Sequence, residues 1–436
     1  MTTNPANFAT EFYNQLTNDY DTNLSHSGVS GERLASRLAE LSKIGLTEDG
    51  GSSRMGFSAE EREAKELVKT WMRDAGLAVH EDGAGNIFGR LEGATSDAPA
   101  ILSGSHVDSV PNGGHFDGPL GVLAALEVAE AWKETGYTPD NPYEVVIFTD
   151  EEGSRFKSGI SGSAAMVGDA DREEHVAYTD VNGDSFQTVI ERDGLTVDGY
   201  FAAKRNLDEI DTFVEVHIEQ GKRLEKEGLS VGVVTGIAGP AWMEVTITGE
   251  AGHAGNTPMD DRADALIAAS ECIHQIEHLP AKVSESAVAT VGQMSVEPNG
   301  INVIPGNVTF TVDIRDIHIE TRDQLINDVT NLVHRVSRER QVDAQVKENV
   351  RIPPMPIADD LQRKAAAAVE KAQGSSFFLP SGAGHDAMIV GAHRPSAMLF
   401  VRSKNGISHN PLEWSSLNDC TLSVHALKGT LETLVK

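Results

Sequence analysis

The sequence predicts an α/β protein into which a smaller α+β unit is inserted. Three observations point to this fold class. The chain has 436 residues, and chains longer than about 250–300 residues usually form more than one domain. Helical and buried-strand patterns alternate in its first part, which is typical of α/β folds. Further along, the elements follow the split βαββαβ order of a ferredoxin-like layer.

The first predicted domain part, residues 1–231, begins with a polar segment. The first thirty residues are rich in Asn, Thr, Ser and Asp, and we expect one short helix or a frayed end there. The apolar spacing then predicts helices over Gly31–Ile44, Ser58–Gly76 and Leu120–Thr135 and buried strands over Ala100–Ser105 and Glu144–Thr149.

The second predicted domain, residues 232–350, supplies the ferredoxin-like order. We expect strands over Trp242–Gly249, Ser286–Val296, Asn302–Asp313 and Val342–Val350 and helices over Arg262–Glu277 and Arg322–Glu339. After a proline-containing joint at Arg351–Ile357 the α/β pattern resumes. Residues 351–436 are therefore expected to complete the first domain.

Polar side chains follow both buried strands of the first domain. His106 and Asp108 lie where one strand ends, and alternate strand residues share a face, so both can point the same way. A carboxylate beside a metal-bound imidazole fixes the tautomer of that imidazole. Glu151 and Glu152 follow the other strand. Asp117 precedes the helix that connects the two strands. Ligands of open α/β sheets gather outside the carboxyl ends of strands, so these groups should meet.

Each motif by itself also has an ordinary structural explanation. A polar strand end would account for His106, and a cap of the following helix would account for Asp117. The glutamate pair could be a solvated turn in an acidic chain. We expect His217 at the start of a helical stretch and His409 in a loop. A single histidine at either place is more often structural than a metal ligand.

The combination of these residues favours a metal site. Imidazole and carboxylate ligands without thiolate suit zinc, manganese, cobalt or nickel. Two such ions about 3.5–4 Å apart can turn a bridging water into a nucleophile near neutral pH. One carboxylate of the glutamate pair could bind an ion while the other acts as a general base. The residues thus predict a dinuclear hydrolase and leave open which glutamate is the ligand.

Eight motifs in order extend this prediction: SHVDSVPNGGHFDGPLGV, TDEEGSRF, HIEQG, TGEAGHAGNTPM, GINVIPG, DIRD, SGAGHDA and SHNPLE. They span residues 105–413 and resemble the ureido-amidohydrolase branch of the M20 metallopeptidases. That branch comprises N-carbamoyl-L-amino acid hydrolases, allantoate amidohydrolases and β-ureidopropionases. HIEQG and SGAGHDA resemble this branch more than the dipeptidases and aminoacylases of the same family.

The resemblance implies a role for each matching residue. The implied ligands of two divalent ions (zinc, manganese, cobalt or nickel) are His106, Asp117, Glu152, His217 and His409, with Asp117 bridging. Glu151 is the implied general base, and Asp108 is the implied residue that orients His106. The resemblance, and not the spacing, selects Glu152 as the ligand of the glutamate pair.

The resemblance also implies a mixed-sheet catalytic domain with an inserted ferredoxin-like lid and dimerisation domain. From that domain His253 is expected to stabilise the oxyanion, often in the active site of a partner subunit. Without the resemblance, His253 would be taken as a loop histidine and Arg315 as part of a strand-edge salt bridge. The implied substrate contacts are Gln220, Asn302, Arg315, Gly384 and His385, with Arg315 binding a carboxylate in bidentate fashion.

The predicted reaction is hydrolysis of the ureido C–N bond of N-carbamoyl-L-amino acids to amino acid, CO2 and ammonia. Allantoate hydrolysis by the same groups is the nearest alternative, followed by an aminoacylase or dipeptidase activity. A non-catalytic relative that only binds a metal or ligand is disfavoured because every implied ligand and the base are present. We expect a homodimer acting on a small ureido substrate with a carboxylate.

Composition excludes several other classes of partner. Asp and Glu number 66 against 36 Lys and Arg, a net charge of −30, which argues against nucleic acid or anionic membrane. No apolar run is long enough for a transmembrane helix, and the N-terminus lacks a secretory signal. A cytoplasmic protein is expected. Cys272 and Cys420 lie far apart and are expected to be buried thiols.

The acidic residues are dispersed along the chain, so their repulsion acts on the folded state. At about 1 M salt the Debye length falls to about 3 Å, which screens that repulsion. We therefore expect a protein adapted to a salt-rich, halophilic cytoplasm, with an ordinary acidic bacterial enzyme as the alternative.

Overall fold

The computed structural model describes residues 4–434 and divides into two compact units. Unit 1 comprises the chain up to Val234, Ile357–Leu379 and the chain from His385, and unit 2 comprises Thr235–Pro356 and Pro380–Gly384. The predicted boundaries, 1–231, 232–350 and 351–436, stay a prediction. Residues 1–3 and 435–436 of the two outer parts lie outside the described residues.

Helices and strands alternate along most of the chain. The helices are α1 (Pro5–Asn18), α2 (Gly31–Leu41), α3 (Ala59–Ala75), α4 (Pro119–Thr135), α5 (Ser161–Val167), α6 (Arg172–Val176), α7 (Phe186–Arg192), α8 (Val197–Phe201), α9 (Arg223–Glu227), α10 (Ala265–Ile276), α11 (Pro280–Val283), α12 (Ile319–Arg340), α13 (Asp359–Gln373), α14 (Asp386–Gly391) and α15 (Leu417–Leu434). Of those that the structure describes, none combines the length and apolar character that a membrane crossing needs.

The strands are β1 (Ala78–Glu81), β2 (Ile87–Leu91), β3 (Ala100–His106), β4 (Tyr143–Phe148), β5 (Ile210–Ile218), β6 (Val231–Ile237), β7 (Gly239–Thr248), β8 (Gly252–His253), β9 (Val288–Thr290), β10 (Met294–Glu297), β11 (Val303–Ile304), β12 (Asn307–Asp316), β13 (Asp343–Arg351), β14 (Met355–Pro356), β15 (Phe378–Ser381) and β16 (Ser396–Val401). The helices predicted in the first domain correspond to α2, α3 and α4, and the two buried strands correspond to β3 and β4.

The sheet of unit 1 is mixed, with the strand order β1-β2-β4-β3-β5-β16-β6. The four strands β4, β3, β5 and β16 run parallel, whereas β1, β2 and β6 pair antiparallel with their neighbours. Every residue of β3 and β4 is buried, and α4 packs against β3 with most of its length buried. This arrangement confirms the predicted α/β class with a mixed sheet.

The prediction that His217 begins a helical stretch is wrong. His217 and Ile218 end the buried strand β5. The preceding run, residues 212–216, contains β-branched and aromatic residues that suit a buried strand. The strand ends because Gln220 takes the left-handed conformation, with φ of 55°, and helix α9 begins only at Arg223.

Unit 2 contains an antiparallel sheet in the order β10-β12-β7-β13, with β9 also pairing with β12. Buried and more exposed side chains alternate along β7 and β12, as expected for a sheet that packs on one face only. The buried face forms a core with α10 and α12 that includes Val245, Ile247, Phe310, Leu325 and Val329.

Two predicted strands of unit 2 need correction. The strand expected over Ser286–Val296 is divided into β9 and β10, with Gly292 in the break. The strand expected over Asn302–Asp313 starts only at Asn307, because Pro305 has no N–H to donate to a ladder. Val303–Ile304 pair instead with β8.

The two cysteines are free and buried, one in each unit, which confirms the prediction of buried thiols. Burial raises the pKa of Cys272, on α10, to about 12. Burial also raises the pKa of Cys420, on α15, well above its usual range. Neither thiol is therefore readily ionised in the folded protein.

A buried ion pair lies beneath the loop that follows β4. Lys65 Nζ and Glu61 Oε1 on α3 are 2.7 Å apart, and both side chains are fully buried. Lys65 also donates to Thr149 Oγ1 at 2.8 Å, and Glu61 Oε1 is 3.4 Å from the backbone N of Asp150. Burial raises the pKa of Glu61, and the charge of Lys65 opposes that shift.

We expect Lys65→Met to destabilise unit 1 by about 3–5 kcal/mol, because Glu61 would then hold a buried charge without its partner. Guanidinium denaturation measures the change. Adding Glu61→Gln should recover part of the loss, since the amide carries no charge. The control Lys43→Met, whose partner Glu40 is exposed, should cost less than about 1 kcal/mol. Equal effects of the two lysine substitutions would contradict the expectation.

Candidate metal centre and active site

The carboxyl ends of three neighbouring parallel strands meet at one edge of the sheet in unit 1. His106 is the last residue of β3, His217 is the second-last residue of β5, and the glutamate pair follows β4. His409 lies in the loop after β16, and Asp117 lies just before α4. The fold therefore brings together, within one unit, side chains that are up to 303 positions apart in the sequence (106 to 409).

The carboxylate of Asp117 is common to two groups of potential metal ligands. One group is His106, Asp117 and His217, the other is Asp117, Glu152 and His409, and within each group the ligand atoms lie within 4.8 Å of one another. Asp117 Oδ1 is 3.0 Å from His217 Nε2 and 3.7 Å from His106 Nε2. Its Oδ2 is 3.4 Å from His409 Nε2, which is 3.3 Å from Glu152 Oε2.

The alternative that Asp117 caps α4 is wrong. The N-cap position is Gly118, which has no side chain to cap the helix, and Pro119 follows it. The Asp117 carboxylate instead accepts hydrogen bonds from Ser408 Oγ at 2.6 Å and from Gln220 Nε2 at 2.8 Å. Gly118 is also needed for space, because a Cβ there would lie 2.4 Å from His106 Cε1.

The residues present fit a divalent cation. His106 Nε2 and Glu152 Oε1 are buried and have no hydrogen-bond partner among residues 4–434. Asp108, Asp117, Glu151 and Glu152 crowd their carboxylates around two largely buried imidazoles, and buried charges of one sign need a counter-charge or a metal. A donor set of imidazole and carboxylate without thiolate suits zinc, manganese, cobalt or nickel. The assignment of individual ligands stays a prediction.

The two glutamates after β4 differ in their neighbours. Glu151 Oε2 lies 3.6 Å from His106 Nε2, and burial raises the pKa of Glu151 well above its usual range. Glu152 faces His409, and burial together with the charge of Asp117 raises the pKa of Glu152 to about 7. Although burial opposes it, the imidazole of His217 holds the pKa of Asp117 well below its usual range.

Asp108 fixes both His106 and the glutamate pair. Its carboxylate accepts hydrogen bonds from the backbone N–H groups of Glu151 and Glu152, each at 3.1 Å. His106 Nδ1 lies 3.1 Å from the backbone oxygen of Asp108 and 3.4 Å from its Oδ1. Asp108 therefore offers His106 Nδ1 two possible hydrogen-bond acceptors, its backbone oxygen and its carboxylate, for the predicted orienting role.

Two buried glutamates support the site and were not singled out from the sequence. Glu413 Oε1 accepts from the backbone N–H groups of Phe116 and Asp117, and its Oε2 lies 3.0 Å from Ser408 Oγ. Glu215 accepts from Ser105 Oγ at 2.7 Å and from the N–H of Ala387 at 2.9 Å. The sequence held a signal for each of them. Glu413 ends the SHNPLE motif, and Glu215 lies two positions before His217, so the side chains of Glu215 and His217 point to the same face of the strand.

Of the predicted substrate contacts, Gln220 and His385 lie in unit 1 beside the cluster. Gln220 Nε2 reaches Asp117, as described, and lies 3.4 Å from His409 Nε2. The ring of His385 is buried with its centroid 4.4 Å from that of His217. Burial lowers the pKa of His385 well below its usual range.

The other predicted contacts belong to unit 2. His253 and Asn302 are both exposed on adjoining segments, where Ala254 N–H donates to the Asn302 carbonyl at 3.0 Å. Arg315 donates to Asp313 and, through Nη1, to the carbonyl of Gly382 at 2.7 Å. Arg315 therefore forms the salt bridge of the structural alternative, although β12 is not an edge strand here, because it pairs at this residue with β9 and β7. Gly384 is exposed.

The sequence profile of peptidase family M20/M25/M40 matches residues 102–433. The chain belongs to this family. It is 44 % identical to an N-carbamoyl-L-amino acid amidohydrolase of Geobacillus stearothermophilus over 94 % of this chain and 99 % of that one. It is 39 % identical to an allantoate amidohydrolase of Bacillus subtilis, covering 90 % and 95 % of the two chains.

Among solved structures, an amidase of the hydantoinase/carbamoylase family from Burkholderia multivorans superposes with a TM-score of 0.87. It is 34 % identical and covers 94 % of this chain and 98 % of its own. These similarities confirm the predicted M20 membership and the ureido-amidohydrolase branch.

The pH dependence of the metal-free protein tests the Asp117–His409 contact. Asp117, which accepts a hydrogen bond from the ring, raises the pKa of His409 to about 9. A raised pKa means that the protonated ring is more favourable in the folded than in the unfolded chain, so the stabilisation is complete where the ring is protonated in both states and is lost as the folded ring deprotonates. We expect the stability advantage over His409→Ala to be complete below about pH 6.5 and lost as pH rises through about 9. Thermal denaturation with a chelator present measures it, and a difference constant from pH 6 to 9.5 would contradict it.

Proposed function

We propose that this chain hydrolyses the ureido C–N bond of N-carbamoyl-L-amino acids and releases the amino acid, CO2 and ammonia. One observation carries the proposal: the carboxylate of Asp117 is shared by two ligand groups, with the Glu151 carboxylate beside them. The 44 % identity to an N-carbamoyl-L-amino acid amidohydrolase supports this choice of amide.

His106, Asp117 and His217 would hold one divalent ion, and Asp117, Glu152 and His409 would hold a second. Zinc, manganese, cobalt and nickel all suit these donors. When bound, such ions supply a water of lowered pKa and polarise the carbonyl under attack. Asp117 would be the ligand common to both ions, because each of its oxygens already faces an imidazole.

Glu151 is the group that would move the proton. Its buried carboxylate has a raised pKa, so it accepts a proton from the attacking water and holds that proton at Oε2 without a large penalty. The same carboxylic acid then protonates the leaving nitrogen. Asp108 keeps this carboxylate in position through the backbone N–H groups of Glu151 and Glu152.

Substrate recognition is proposed for residues of both units. Arg315 offers a planar guanidinium suited to a carboxylate, and Asp313 already holds it in a fixed orientation. Gln220 and His385 lie at the cluster and would contact the ureido group, and Asn302 and Gly384 would line the same substrate.

We further propose that residues 232–350 form a lid and dimerisation domain and that the chain is a homodimer. His253 supports this, because its imidazole is exposed and its Nδ1 accepts from Gly255 N–H, which leaves Nε2 to donate to an oxyanion. Removing one oxyanion donor costs about 3–4 kcal/mol in other enzymes.

Ammonia release from N-carbamoyl-L-methionine and from allantoate tests the proposed substrate, with zinc, manganese, cobalt or nickel supplied. The assay is run in dilute buffer and in molar KCl, because we also propose that this acidic chain works in the cytoplasm of a salt-rich cell. We expect turnover of the carbamoyl amino acid, and Arg315→Lys should raise its KM because lysine cannot bind a carboxylate in bidentate fashion. Turnover of allantoate alone would select the second candidate, which the 39 % identical relative favours.

We expect Glu151→Gln to retain divalent-ion binding and lose about 100- to 10,000-fold in kcat, because the amide cannot take up the proton. Equilibrium dialysis and steady-state kinetics measure the two quantities. The control Glu152→Gln should lose ion affinity, since that carboxylate is the proposed ligand. Wild-type turnover by Glu151→Gln would refute its role as base.

The trans-subunit role of His253 is tested with the same variant. His253→Ala and Glu151→Gln subunits are mixed, unfolded and refolded together. If a dimer combines His253 of one chain with Glu151 of the other, mixed dimers regain activity at one of their two sites. Activity no greater than that of the separate variants would contradict this arrangement.

A further inference from the structure

The C-terminal end of helix α10, in unit 2, carries three exposed groups that can bind a metal ion. They are His274, Glu277 and His278, and one ligand atom from each lies within 4.8 Å of the others. The centroids of the two imidazole rings are 5.3 Å apart. These residues take no part in the cluster around Asp117, which belongs to unit 1.

The helix geometry holds the two imidazoles on one face. Residues four apart are neighbours on a helix surface, and His274 and His278 have this spacing. Although α10 ends at Ile276, Glu277 keeps helical angles and His278 N–H donates to the carbonyl of Gln275 at 3.2 Å, so the last turn continues in a tightened form. Ile276 is buried in the core of unit 2 and anchors this turn.

The local electrostatics also favour a cation. The end of a helix presents unpaired carbonyl groups and the negative pole of the helix dipole. Glu277 adds a carboxylate, and the whole chain carries a net charge of −30. Two arginines bind other residues of α10 and not the three candidate ligands: Arg340 pairs with Glu271 at 2.6 Å, and Arg335 donates to Gln275 Oε1.

We propose that His274, Glu277 and His278 form a peripheral site for one divalent transition-metal ion. Two imidazoles and one carboxylate favour nickel, copper or zinc over calcium or magnesium, which prefer all-oxygen sites. Three protein ligands leave coordination positions open to water. The ordinary alternative, a solvated polar helix end, predicts no such stoichiometric binding.

The test uses Ni2+ alone, added to the chelated full-length chain at pH 8 and followed by isothermal titration. His274→Ala with His278→Ala should remove one equivalent of bound Ni2+ relative to the wild type. These residues are exposed, so circular dichroism should show an unchanged fold. Equal Ni2+ stoichiometry in the two proteins would overturn the proposal.

A matched control removes two other imidazoles of unit 2, through His318→Ala and His334→Ala. These positions are sixteen residues apart along α12 and its N-cap, about 24 Å at 1.5 Å per residue, so they cannot share an ion. The control should keep the wild-type Ni2+ stoichiometry, and loss of an equivalent there too would count against the site. In Cu2+ spectra of the wild type, coupling to the two imidazole nitrogens should be present and then lost in His274→Ala with His278→Ala.

Amide hydrolysis separates this proposal from the proposed function. The double variant should keep wild-type turnover in the presence of excess metal, because neither residue contacts the Asp117 cluster. If the full chain shows no amidase activity on any ureido substrate, the Ni2+ experiment still decides the peripheral site by its stoichiometry.

Discussion

The structure of unit 1 depends on one constraint, the burial of many carboxylates at a single edge of the sheet. Asp108, Asp117, Glu151 and Glu152 converge there because β3, β4 and β5 are parallel neighbours whose carboxyl ends coincide. Burial of one ionised group without a counter-charge costs several kcal/mol. The surrounding elements are arranged to limit that cost through imidazoles, backbone N–H groups and a few buried cations.

The buried cations Lys65 and Arg54 bind groups other than the carboxylates of the cluster. Lys65 neutralises Glu61 beneath the loop after β4. Arg54 is buried and donates to the carbonyls of Val107 and Ile44, and burial lowers its pKa to about 10 even with Asp108 and Glu413 nearby. The imidazoles of His106 and His217 are the groups that face the carboxylates of the cluster.

Much of this site could be predicted from local spacing. The strand ends before His106 and Glu151 are marked by continuous buried runs, and their convergence follows from parallel pairing. The position of His217 was predicted on the wrong element, because EVHIEQG contains helix-forming residues and only tertiary burial makes it a strand.

The long-range contacts of the site could not be predicted from the local spacing of residues in the sequence. Glu413 binds the N–H of Asp117 across 296 positions, so its role depends on the packing of the whole unit. Asp117 matched a helix-cap pattern because capping and ligation both use a carboxylate before a helix. In unit 2 the order of elements was predicted. The break between β9 and β10, which contains Gly292, and the later start of β12 after Pro305 were not.

The placement of the two cysteines has a practical consequence for studying the motions of this chain. The sequence holds two thiols, and each unit buries one of them inside a helix, Cys420 on α15 and Cys272 on α10. Because the reactive species is the thiolate, modification requires local opening that lets water reach the sulfur. The two labelling rates therefore report separately on how often each unit opens, with no engineered probe.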